Sequence, residues 1–201
     1  MDAILTETIE HHGETYRLTI TPDMDSPNPL EEWDETGTIL SLNRRHVNFD
    51  PRGIEEAIEM NPDAVRLSYY EHGQCLWSVA GELPASCRCP FDSVRFAGLW
   101  LPDEATLASA RHYGGFTRRQ FMLKRAREAC DLYSQWCNAD VYAYELTRVT
   151  PCDICGVPQS ETLDTCSGFY GLEECRTQGL AMIQSLANPS PPAWRDTSNA
   201  L

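Results

Sequence analysis

The sequence holds no apolar run near the ~18 residues that a membrane-crossing helix needs, which removes a helical anchor from its expected parts. Residues 1–14 also lack the basic start and long apolar stretch of a secretory leader, so the expected compartment is the cytosol and no membrane partner is expected. Familiar catalytic signatures are missing too. There is no glycine-rich phosphate loop, no G-x-S-x-G elbow and no H-E-x-x-H pair, which removes the reaction classes those motifs carry. The five histidines, His11, His12, His46, His72 and His112, show no metal-ligand spacing and read as surface residues. No internal repeat is present.

Positive charge is scarce: 16 Lys and Arg face 30 Asp and Glu, a formal net charge of −14. The imbalance is uneven, because residues 1–63 carry 15 acidic and 4 basic side chains. Its densest part is "DMDSPNPLEEWDE", where Asp23, Asp25, Glu31, Glu32, Asp34 and Glu35 surround Trp33. Between Arg111 and Arg127 the sign reverses, with Arg111, Arg118, Arg119, Lys124, Arg125 and Arg127 and no carboxylate. A solvated helix face, or one paired with the acidic loop, accounts for that basic run more simply than phosphate binding does. A chain this acidic is repelled by nucleic acid overall, so no direct nucleic-acid contact is expected.

At 201 residues with 42% hydrophobic content the chain has enough material for a substantial core. Alternation in "TYRLTI" and "GTILSLN" predicts strands at 15–20 and 37–43, and the proline-rich acidic stretch links them through turn chemistry. "PRGIEEAIEM" reads as a short amphipathic helix, and "VRLSYYEHGQCLWSVA" as a hairpin turning at Gly73. A strand at 92–100, a helix after Pro102 and a long helix near 117–136 burying Phe121 and Cys130 follow. Further strands are expected at 140–149 and 161–166. "GFYG" then turns the chain into a last helix, with Glu173 and Glu174 in its first turn. The expected fold class is α+β: one domain over residues 1–187, a mostly antiparallel sheet of five to seven strands with packed helices, and a flexible tail at 188–201.

Nine cysteines in a chain expected to stay in a reducing compartment point to thiols or a metal rather than a disulfide framework. "PCDICG" places Cys152 and Cys155 across a tight knuckle, half of a zinc site, and "SCRCP" supplies Cys87 and Cys89 in a loop. The four complete a thiolate site if the two loops meet. Solvent-facing thiols at a hairpin tip, or a dithiol that oxidises, are the competing readings. Cys166 lies a whole strand away from the knuckle and is a poor partner.

Three blocks together resemble a known family. "MDSPNPLEEWDETGTILSLNRRH" is similar to its opening block, "CPFDSVRFAGLWLP" with the preceding hairpin to its middle, and "NADVYAYELTRV" with "ETLDTCSGFYG" to its end. The family consists of small acidic proteins encoded by bacteriophages and plasmids, without an established activity. The chain departs from it at Ser93–Val94, where the family tends to Ser-Gly, and in "NRRHVNFD", which lacks a family cysteine. The resemblance implies a mobile-element context and the cytoplasm of an infected or plasmid-bearing bacterium. It also implies an inhibitor of a host nucleic-acid-binding defence factor, of the anti-CRISPR or anti-restriction kind. Carboxylates at Asp23, Asp25, Glu31, Glu32, Asp34 and Glu35, with Trp33, would occupy the basic groove of a host protein or ribonucleoprotein as a nucleic-acid mimic. The alternative is a small enzyme of mobile-element metabolism that uses a cysteine or zinc site.

Overall fold

The computed structural model describes residues 2–112 and 114–187. The tail expected at 188–201 lies outside the described residues. The chain gathers into two compact units, one built from the segments up to Met24 and from Val141 onward, the other from Asp25–Asp140.

The first unit is a four-stranded meander, β1 (Leu5–His11), β2 (Glu14–Pro22), β7 (Val141–Pro151) and β8 (Pro158–Tyr170), in the order β1-β2-β7-β8. Alternation in β2 turns Tyr16, Leu18 and Ile20 inward beside Tyr144 and Leu146 of β7, and helix α5 (Leu172–Ala187) adds Cys175 and Ile183 to the same core. The helix approaches closely at Gly179, where a Cβ would stand 2.5 Å from Leu18 Cδ1. "GFYG" departs from its expected role as a turn, because β8 continues to Tyr170. Gly168, at φ +81°, absorbs a register shift against β7, and the chain turns only at Gly171. Phe169 stacks on Tyr144 at 5.5 Å, and Glu173 and Glu174 occupy the first turn of α5 as expected.

The second unit holds β3 (Thr38–Ser41), β4 (Val65–His72), β5 (Gln74–Val79) and β6 (Ser93–Leu101), in the order β3-β6-β4-β5. Helices α1 (Pro29–Glu32), α2 (Ile54–Met60), α3 (Glu104–Ser109) and α4 (Arg118–Cys137) complete it. Thr117 and Gln120 form a capping box that starts α4. At helical spacing Phe121, Met122, Ala126, Ala129, Cys130 and Tyr133 then face the sheet, where they meet Tyr69, Trp77 and Trp100. Full burial of a large apolar side chain contributes about 1.5–3 kcal/mol, so this face is a substantial source of the unit's stability. Gly37, at φ +69°, lets the Trp100 indole sit against the backbone, where Nε1 donates to Thr36 O at 2.8 Å.

Every pairing among the described strands is antiparallel, and the α+β class is the one expected. The strands lie in two sheets of four instead of one sheet of five to seven. Hairpin signals identify neighbours in sequence, while the break comes between β2 and β3, where the chain leaves one sheet and does not return to it until β7. Most of the basic run of α4 is taken up by ion pairs, Arg118 with Asp63, Lys124 with Glu128, Arg125 with Glu35 and Glu128, and Arg127 with Glu82, while Arg119 donates to Ala64 O at 3.1 Å. No helix among the described residues is long and apolar enough to cross a membrane.

Candidate functional site

The acidic stretch forms a short presented surface. Asn28 caps α1 by accepting from Leu30 N at 3.1 Å, and the Trp33 N–H donates to Pro29 O at 3.1 Å, so a single turn is closed at both ends. Pro29 is buried and Leu30 packs on the core of the second unit, which turns Glu31, Glu32, Trp33 and Asp34 outward. Trp33 is 45% exposed, a large apolar surface held among carboxylates. Asp25 is exposed as well. Two of the six carboxylates are tied to distant parts of the chain, Asp23 accepting from Gly168 N at 3.0 Å and Glu35 from Ser109 Oγ at 2.5 Å while pairing with Arg125, and Glu31 accepts locally from Asn28 Nδ2 at 2.9 Å.

A second cluster, unmarked by any motif, lies in the same unit. His46, Cys75 and Cys137 bring their ligand atoms within 4.8 Å of one another, a group that could hold a metal ion. Each donor comes from a different element and is independently fixed. His46 closes the loop after β3, where Asn43 Oδ1 accepts from Arg45 N at 3.0 Å and Asn43 O accepts from His46 N at 3.0 Å. Asn48 then ties the loop back, accepting from Ser41 N at 2.7 Å and donating to Ile39 O at 2.9 Å.

Cys75 is the second residue of the edge strand β5, whose outer backbone groups are met by side chains of α4 and of Asn138 just after it in place of another strand. Asn138 Oδ1 accepts from Cys75 N and its Nδ2 donates to Cys75 O, both at 2.8 Å, while Ser134 Oγ accepts from Trp77 N at 2.8 Å. Cys137 ends α4 one residue before that clamp. Its sulfur stands 4.0 Å from His46 Nδ1.

Aromatic rings wall the cluster. The His46 ring lies 5.9 Å from Tyr69, 6.3 Å from Trp77 and 6.4 Å from Tyr133, each edge-on. His46 Nε2 is buried without a hydrogen-bond partner, while Nδ1 is the ring nitrogen that stands against the Cys137 sulfur. Burial, and secondarily Arg45, lowers the His46 pKa and favours the neutral imidazole that a ligand must be. Hydrogen bonding from Cys137 favours the Cys75 thiolate, whereas the neighbouring Cys75 and then burial push the Cys137 thiol up. At the rim Glu71 accepts from the Tyr69 hydroxyl at 2.9 Å and pairs with Arg45, the two contacts that hold its carboxyl below the ordinary range.

The other cysteines are placed differently. Cys152 and Cys155 sit in the β7–β8 hairpin turn, where backbone N–H groups of Ile154 and Cys155, and then the Cys155 thiol, lower the Cys152 pKa. The knuckle is formed, with its thiols at or near the surface. Cys87 and Cys89 belong to the loop between β5 and β6, in the other unit. The group of ligand-type side chains that converges among the described residues includes none of these four. No family model, curated protein or solved structure matches the chain.

Proposed function

We propose that this chain is an acidic binding protein of phage or plasmid type, which inhibits a host defence factor by occupying its basic nucleic-acid-binding groove. The observation that carries the reading is the exposed turn of Glu31, Glu32, Trp33 and Asp34 on a closed, core-anchored helix turn. Carboxylates steer the encounter with a positive channel, and a half-exposed tryptophan supplies the apolar anchor that charge alone lacks. Asp23 and Glu35 are held in structural contacts, so the partner surface rests on Asp25, Glu31, Glu32 and Asp34 around Trp33. The partner class is a host protein or ribonucleoprotein of anti-restriction or anti-CRISPR relevance.

The test is capture from bacterial extract with the wild-type chain and with Glu31→Lys/Glu32→Lys/Asp34→Lys. A protein that the wild type retains, that added duplex DNA or RNA displaces, and that the variant fails to retain supports mimicry. Retention unchanged by nucleic acid and by charge reversal contradicts it.

A second reading, an enzyme or metal-dependent module, is favoured by the convergence of His46, Cys75 and Cys137. Two thiolates and an imidazole form a soft donor set, and zinc is the ion we assign to it. A bound zinc would tie the loop after β3, the start of β5 and the end of α4 together, within the unit that presents the acidic turn.

A further inference from the structure

Resting on the assignment of zinc to this cluster, we infer that the ion has three protein donors and keeps its fourth position open to a small exogenous donor, water in the resting protein. Structural zinc sites close with a fourth thiolate or imidazole, while sites that bind or transform a ligand leave that position to solvent or substrate. The donors available here stop at three. Among the described residues no further His, Cys, Asp or Glu joins the group of His46, Cys75 and Cys137.

The neighbouring polar side chains are committed elsewhere. The Glu71 carboxylate is held by the Tyr69 hydroxyl and Arg45, and the Asn138 amide is clamped to both backbone groups of Cys75. The remaining walls are Tyr69, Trp77 and Tyr133: the indole cannot ligate a metal and the Tyr69 hydroxyl donates to Glu71 at 2.9 Å, which leaves the Tyr133 hydroxyl, hydrogen-bonded to Cys137, as a competing oxygen that the response to azide distinguishes from an open position. Cys75 is buried, whereas His46 and Cys137 are only partly so.

Charge decides what that position accepts. Two thiolates cancel the charge of Zn²⁺, so the bound water is less acidified than on a zinc held by neutral imidazoles alone; a neutral donor exchanges with it without a net charge being buried, and an anion such as azide leaves the centre with one net negative charge. Loading releases the two thiol protons, and exchange at the fourth position replaces one water by one incoming donor, with no change in oxidation state.

The experiment uses the full chain carrying Cys152→Ser and Cys155→Ser, reduced and stripped of metal, to which Co²⁺ is added as the spectroscopic stand-in for zinc. The expected result is a sulfur-to-cobalt charge-transfer band with tetrahedral visible bands, and a shift of the visible bands when azide is added while the charge-transfer band persists. His46→Gln, at a half-exposed position, should fold and lose at least about tenfold in Co²⁺ affinity. A cobalt spectrum indifferent to azide overturns the open position and leaves the metal centre standing. Absence of any cobalt–thiolate band overturns the zinc assignment itself, and the inference with it.

Discussion

The acidic turn and the thiol–imidazole cluster belong to one unit and are built in opposite ways. The turn is continuous in sequence, exposed and charged, and its residues are held by bonds that span only a few positions. The cluster is discontinuous and partly buried. It draws a loop, a strand start and a helix end together through bonds that cross long stretches of chain, such as the Asn138 clamp on Cys75. Local bonds make a surface that tolerates change, whereas convergent bonds make a site that shares its fate with the core.

The most severe break in the comparison is Trp77→Ala. Trp77 is fully buried, with Tyr69 at 4.8 Å and Tyr133 at 5.8 Å, and removing it should cost about 3–5 kcal/mol and collapse the cluster. Denaturant unfolding measures this. Asn138→Ala should come next, at about 1–3 kcal/mol, because it leaves the buried-edge N–H and C=O of Cys75 without their partner. By contrast the Glu31→Lys/Glu32→Lys/Asp34→Lys chain should unfold within about 0.5 kcal/mol of wild type, because surface charges of this kind contribute little to stability.

A pH effect sharpens the same contrast. Burial lowers the His46 pKa below its ordinary 6.5, so near that pH the unfolded chain binds a proton that the metal-free folded chain does not. The His46 contribution to stability is therefore complete above about 6.5, falls as pH drops toward the lower folded value, and levels off beneath it. Melting curves of the metal-free protein should show this slope, and His46→Gln should flatten it. The smallest effect concerns reactivity without stability. Cys152, with its lowered pKa and surface position, should be alkylated first by iodoacetamide, and Cys130, buried with its thiol pushed up by desolvation, last. Peptide mapping of a time course reads the order.

What could be read from the residues follows the same division. The turn, the long helix with Phe121 and Cys130 inside, and the Gly73 hairpin were legible because each is specified by neighbours within a few positions. The Cys152–Cys155 knuckle was visible for that reason, whereas the group that converges, His46, Cys75 and Cys137, carries no such local spacing. Nothing near His46 marks it as a ligand. "CNAD" after a long helix was the available signal, since an asparagine following Cys137 can clamp the edge strand that carries Cys75, but the pairing of α4 with β5 needs the tertiary fold. The exposure of Trp33, at 45%, depends on Pro29 and Leu30 taking the inward side of the turn, which the residue types alone do not decide.

The measurement that bears most directly on the convergent site is metal content by mass spectrometry of chains purified under reducing, chelator-free conditions. The wild type and Cys152→Ser/Cys155→Ser should each carry one equivalent of zinc, and Cys137→Ser and His46→Gln should lose it while retaining wild-type circular dichroism. Zinc lost from the Cys152→Ser/Cys155→Ser chain but kept by Cys137→Ser and His46→Gln, or no zinc in any of them, would contradict the account.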